Sequence, residues 1–251
     1  MQNGILYGIG VGPGDPGLIT LAAVKALSEV DVVFAPASTK NDFSVALDII
    51  RPHLRADVEI RRLDFPMTRD DTVRTAARGK NAEAVLTCLH GGCHAAFITL
   101  GDPLIYSTFG HLLRELRARD DLAEVRIIPG ITSFQAAAAR MEQTLVEGDE
   151  SLVVATGNCD VGRLAKLLDV ADAAVVLKPA KRFPALKAAL EERGLADRAR
   201  LIERCGLDGE AVYVNLDQVP EKLSYFSLLH VARKGAQGIR TRTQEDSAGK
   251  T

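Results

Sequence analysis

Short apolar runs rich in valine, isoleucine, leucine and alanine recur along the chain. Between them lie longer stretches in which apolar residues return every three or four positions. The short runs predict strands at 5–11, 31–35, 58–63, 95–100, 124–128, 152–156, 173–177, 199–203, 211–215 and 225–231. The longer pattern predicts helices at 18–27, 44–50, 72–89, 108–118, 133–140, 161–168 and 184–193. Strands alternating with helices argue for open α/β sheets joined by crossover connections. The runs at 31–35 and 173–177 are almost wholly apolar, as expected of strands covered on both faces. Ten strands exceed a sheet of ordinary size, so two sheets are expected. A charged stretch, Arg117-Ala-Arg-Asp-Asp121, falls between a predicted helix and a predicted strand. It places one domain at 1–119 and a second at 120–235. The segment 236–251 is polar and aperiodic and is expected to be disordered.

Composition narrows the class. Of 251 residues 47% are apolar, enough for a sizeable core. Thirty-one basic residues nearly balance 33 acidic ones, for a formal charge of −2, so a protein held on nucleic acid by its overall field is excluded. No run approaches the roughly 18–20 apolar residues of a membrane helix. No basic region precedes the apolar start at Ile5, so no secretory signal is expected and the cytoplasm is the expected compartment. Cys88, His90, Cys93 and His94 lie close enough in sequence to be weighed as ligands for a soft metal. However, Gly91-Gly92 follows the helical pattern of Ala82, Val85, Leu86 and Leu89, which reads as a glycine-capped helix end. No protein-bound metal is expected.

Three segments carry candidate chemistry, and each is a strand running through a glycine turn towards a helix. The first is Gly8-Ile-Gly-Val-Gly-Pro-Gly-Asp-Pro16. It lacks the lysine of a nucleotide P-loop, and Pro13 stands where a dinucleotide fingerprint needs its third glycine. Four glycines and two prolines favour a ligand-facing loop over a plain turn. The second is Leu100-Gly-Asp-Pro-Leu-Ile-Tyr106, where Gly101 lets a ligand approach the main chain and Asp102 offers a carboxylate to an amine or a ribose hydroxyl. The third is Ile128-Pro-Gly-Ile-Thr-Ser-Phe134, whose Thr132 and Ser133 serve either to cap the next helix or to meet a ligand.

Together these segments resemble the tetrapyrrole methylases, which methylate macrocycles using S-adenosylmethionine. Phe65-Pro-Met-Thr-Arg-Asp70, Tyr106-Ser-Thr108 and Tyr225-Phe-Ser227 resemble the members that act at C-20 of precorrin-2. Val176-Leu-Lys178 and Glu203-Arg-Cys-Gly206 match later strand ends of the family pattern. The resemblance runs from about residue 4 to 232. It implies two open-sheet α/β domains with an active-site cleft between them, and a homodimer. It implies that S-adenosylmethionine is held by Gly101, Asp102, Ile105, Tyr106, Thr132 and Ser133, with Lys178, Cys205 and Tyr225 from the second domain. The loop carrying Gly10, Gly12, Pro13, Gly14 and Asp15, with Met67 and Arg69, is implied to face the macrocycle. Where relatives tend to carry a glycine after Lys178, this chain has Pro179-Ala-Lys-Arg182.

The implied reaction moves the sulfonium methyl to a nucleophilic ring carbon of precorrin-2 or its cobalt complex, with the cobalt-containing, anaerobic branch of cobalamin biosynthesis favoured. The methyl is already activated, so near in-line positioning at about 3–3.5 Å would be the protein's main contribution. No residue declares itself as the proton acceptor. Arg69, Lys178, Lys181 and Arg182 are candidates to orient the substrate's carboxylates. The alternatives are a methylase acting at another ring position and a non-catalytic macrocycle-binding module.

Overall fold

The computed structural model describes residues 3–37 and 45–232. The predicted tail at 236–251 and Ser44, the predicted first residue of a helix, lie outside the described residues.

The first five strands are β1 (Leu6–Gly10), β2 (Val32–Ala37), β3 (Glu59–Asp64), β4 (Ala95–Thr99) and β5 (Val125–Ile128). They form one parallel sheet in the order β3-β2-β4-β1-β5. The period-two alternation of these strands sends side chains to two different layers. Leu6, Phe34 and Phe97 meet α3 (Asp71–His90) and α4 (Phe109–Arg119) on one face. Tyr7, Ile9, Val33 and Ile98 meet α1 (Leu21–Glu29) and α2 (Val45–Ile50) on the other. Thr20 caps α1 by accepting from the Ala23 N–H at 3.2 Å, and Asp70 caps α3 by accepting from Thr72 at 2.8 Å. Helix α3 stops at Gly91-Gly92, where Gly92 takes φ +84.

The expected division at 119/120 is corrected. Strand β5 pairs with β1 from Leu6↔Val125 to Ile9↔Ile128, so it is the edge of the first sheet. The described residues divide into two compact units after Thr132. The charged stretch is no linker: Arg117 donates from Nη1 to the carbonyls of Asp121 and Ala123, closing the end of α4.

The second unit holds α5 (Ser133–Arg140), β6 (Leu152–Thr156), α6 (Val161–Val170), β7 (Ala173–Leu177), α7 (Phe183–Glu191), β8 (Ala199–Glu203), β9 (Ala211–Tyr213) and β10 (Ser227–Ala232). Its sheet runs β6-β7-β10-β8-β9, with β10 antiparallel to both β7 and β8. Helices α6 and α7 pack on one face through Leu164, Leu168, Leu186 and Leu190. On the other face, Ala137 of α5 and Met141 pack against Val175, Ile202 and Leu228.

Candidate functional site

In the first unit β1 and β4 are neighbours, yet the helices that follow them lie on opposite faces of the sheet. That divergence makes their carboxyl ends the place where an open sheet leaves room for a ligand. All three glycine turns meet there. A Cβ on Gly130 would stand 2.2 Å from the Gly101 carbonyl oxygen, and one on Gly10 would stand 2.6 Å from the Gly130 nitrogen. Both glycines are therefore required by backbone packing within the unit. Gly12, at φ +88, pairs with Gly101 through an N–H···O bond of 2.7 Å donated by Gly101.

Gly101 itself differs. At φ +74, its absent Cβ would find no neighbour closer than the Ile131 carbonyl oxygen at 4.0 Å. The space a side chain would take there is open. Asp102 locks the turns: Oδ2 accepts from the Gly130 N–H at 3.1 Å and Oδ1 from Leu104 at 2.8 Å. The carboxylate read in the sequence as an offer to a ligand is thus first a clasp between two loops. Beyond it Leu104, Ile105 and Tyr106 are exposed, and Tyr106 holds φ +49, a left-handed conformation that costs a residue with a side chain about 1 kcal/mol or more. Met67, past the end of β3, is 66% exposed. Arg69 is exposed and makes no ion pair with a described residue. Thr132 is buried, and Ser133 opens α5. Pro13 and Gly14 are buried, while the Asp15 carboxylate accepts from the Gly17 N–H at 2.8 Å and starts a short 3-10 turn.

In the second unit the predicted residues converge for a topological reason. Because β10 is antiparallel to β7 and β8, its start lies beside their ends. Lys178, just past β7, has φ +56, and its Nζ lies 5.1 Å from the centroid of the Tyr225 ring, a cation–π arrangement. Tyr225 is half exposed and meets Phe226 edge-on at 5.5 Å. Arg204, between β8 and Cys205, has φ +51, and its N–H donates to the Phe226 carbonyl at 2.7 Å. Two left-handed residues with side chains at one sheet end mark a constrained rim. Glu203, buried at the end of β8, holds it: its carboxylate accepts from the Ser224 N–H and from the Tyr213 hydroxyl. Burial and that carboxylate raise the Tyr213 pKa above its ordinary value. Neither Glu203 nor Arg204 was singled out as a site residue, although both flank Cys205 in the matched stretch. Pro179 caps a 3-10 turn over Ala180–Arg182, and Arg182 donates to the Cys159 carbonyl at 3.3 Å.

The cysteine–histidine stretch is engaged elsewhere. His90 pairs with Asp120 at 2.9 Å, and His94 Nδ1 accepts from the Ile5 N–H at 3.1 Å. Cys88 is buried in the core beneath α3, and that burial pushes its thiol up to about 11. Among the described residues no group of three or more His, Cys, Asp or Glu side chains is placed to hold a metal. No described helix is long and apolar enough to cross a membrane.

Two open-sheet α/β units, each with a turn-rich rim at one end of its central strands, define the class. Residues 5–220 match the family model of tetrapyrrole (corrin/porphyrin) methylases, and the chain belongs to that family. It is 35% identical over 235 residues to a cobalt-precorrin-2 C(20)-methyltransferase of Salmonella typhimurium, covering 93% of this chain and 98% of that one. It is also 35% identical over 239 residues to a precorrin-2 C(20)-methyltransferase of Sinorhizobium sp, covering 91% and 95%. The fold matches uroporphyrin-III C-methyl transferase from Thermus thermophilus, solved with S-adenyl homocysteine, at a TM-score of 0.65 and 19% identity over 91–92% of both chains.

Proposed function

We propose that this chain transfers a methyl group from S-adenosylmethionine to C-20 of precorrin-2, with the cobalt complex as the favoured substrate. The supporting observation is near end-to-end similarity to two C(20)-methyltransferases, one named for the cobalt complex and one for the metal-free ring. The residues present fit the methyl donor. The space a side chain would take at Gly101 is open, with the Ile131 carbonyl, just before Thr132, its nearest neighbour at 4.0 Å, and Leu104 and Ile105 offer apolar surface. When bound, the donor supplies an electrophilic methyl on a sulfonium, so the chain needs no nucleophile of its own.

In this reading Gly101, Asp102, Ile105, Tyr106, Thr132 and Ser133 hold the donor, Asp102 acting by fixing the turn rather than by free charge. Lys178, Cys205 and Tyr225 are proposed as further contacts on the family resemblance. Gly10, Gly12, Pro13, Gly14, Asp15, Met67 and Arg69 are proposed to border the macrocycle. Cytoplasmic location and a homodimer belong to the same proposal. Holding the ring carbon in line with the methyl is the main work, and such positioning supplies about 7–11 kcal/mol in well-oriented systems. The test is incubation of the purified protein with S-adenosylmethionine and precorrin-2, with and without cobalt. One added methyl and an equivalent of S-adenosylhomocysteine support the proposal; release of neither overturns it.

A further inference from the structure

Helices α3 and α4 each follow a strand's carboxyl end, through the loops 65–70 and 100–108, and both pack on the same face of the first sheet. Their opening turns therefore rise at the same edge as the Gly101–Tyr106 turn. Arg74 and Arg78 come from α3, one turn apart, and His111 and Arg114 come from α4. Arg114 donates from Nη2 to His111 Nδ1 at 2.7 Å. Burial first, and then the nearby charges of Arg78, Arg114 and Arg74, hold the His111 imidazole below its ordinary 6.5. Arg114 thus meets the imidazole directly, and the charges of Arg74 and Arg78 on the neighbouring helix reach the same ring.

Acid compensation there is thin. Asp71 pairs with Arg74, while the Asp70 carboxylate is engaged in capping α3. Arg78 and Arg114 form no ion pair with a described residue. The Arg74 Nε is buried and has no hydrogen-bond partner among the described residues. A guanidinium donor that has lost water without gaining an acceptor is uncommon, and it is relieved by an incoming anion. Mutual repulsion of the three cations is relieved by the same event.

We propose that Arg74, Arg78, His111 and Arg114 form a carboxylate-binding patch that takes acid side chains of the tetrapyrrole at the rim beside Leu104–Tyr106. The inference rests on the function proposed above and adds the part of the chain that reads the ring's periphery. The exposed apolar turn and the cations, both at the carboxyl edge of one sheet, would suit a flat macrocycle edged with carboxylates. The forked guanidinium suits two-oxygen recognition better than a lysine would.

Arg78 and Arg114 are the residues to test, because Arg74 also serves α3 through Asp71. Binding of sirohydrochlorin, a soluble tetrapyrrole polycarboxylate, is followed by fluorescence at several salt concentrations. S-adenosylhomocysteine binding is followed by calorimetry, and methyl transfer to precorrin-2 by product mass. The expected result for the Arg78→Gln/Arg114→Gln double variant is a tetrapyrrole Kd raised about tenfold or more, with a shallower salt dependence. Its S-adenosylhomocysteine Kd and circular dichroism should stay close to wild type. Arg78→Lys should recover part of the loss, and Lys166→Gln, on exposed α6 surface, should show none. A wild type that methylates while the double variant binds the tetrapyrrole equally well overturns the patch alone. A wild type that neither binds nor methylates a tetrapyrrole overturns the functional reading and the patch with it.

Discussion

His230 lies at the centre of β10, flanked in register by Val175 of β7 and Arg200 of β8. It is fully buried, and neither ring nitrogen has a hydrogen-bond partner among the described residues. Burial, reinforced by the charge of Arg200, drives its pKa down to about 4, against 6.5 for an ordinary histidine. Between those values the unfolded chain binds a proton that the folded chain refuses, so stability rises with pH across the window. Put the other way, stability is intact above 6.5 and is lost progressively as pH falls towards 4. At about 1.4 kcal/mol for each pH unit, the full loss from this residue is about 3 kcal/mol. Carboxylates also protonate there, so the measurement is a difference. Urea unfolding of wild type and His230→Leu is compared at pH 7.5, 6.5, 5.5 and 4.5, with far-ultraviolet circular dichroism as the readout. The variant should lose less stability than wild type below pH 6.5, by about 2–3 kcal/mol at pH 4.5. Equal slopes in the two proteins would show that His230 is solvated or partnered, and would refute the reasoning.

Three further outcomes are expected. Gly101→Leu should weaken S-adenosylhomocysteine binding by about tenfold or more, while Gly101→Ala, which carries the same backbone cost at φ +74 without filling the room, should weaken it far less; calorimetry that finds the two alike contradicts the cradle. Glu203→Ala should cost about 1–3 kcal/mol in stability, because the Ser224 N–H and Tyr213 hydroxyl lose their acceptor, and intrinsic tyrosine fluorescence should report a loosened 224–226 turn; an unchanged unfolding midpoint speaks against the clasp. With its thiol near 11 and buried, Cys88 should react with iodoacetamide at pH 8 far more slowly than Cys93, Cys159 or Cys205, and chelator treatment should leave the thermal midpoint unchanged; a tightly held metal whose removal unfolds the protein would overturn the helix-cap reading.

Periodicity carried most of the fold. Each predicted strand and helix forms, with ends displaced by a few residues, because the apolar spacing that defines an element is the same spacing that buries it. Strand order was not legible, since it depends on pairings across long separations, such as β1 with β5. The division does not fall at the charged stretch, because Arg117 there closes a helix end instead of entering a linker. At the candidate site, glycine content marks the turns but not what each glycine is for. Gly10 and Gly130 answer to each other's backbone, whereas a side chain at Gly101 would meet open room. Asp102 looked like a ligand group because nothing in the sequence tells that Gly130 will stand 3.1 Å away. The basic cluster is not legible for the same reason, since the charges of Arg78 and Arg114 reach one histidine only once α3 and α4 pack on one sheet face.

Regiochemistry tests the central claim most directly. The protein is supplied with S-adenosylmethionine bearing an isotopically labelled methyl, together with precorrin-2 or its cobalt complex, and the product is read by nuclear magnetic resonance. The account predicts one labelled methyl per ring, bound to C-20, with the cobalt complex turned over at the higher kcat/KM. Label at any other ring carbon, or none transferred to either tetrapyrrole, would contradict it.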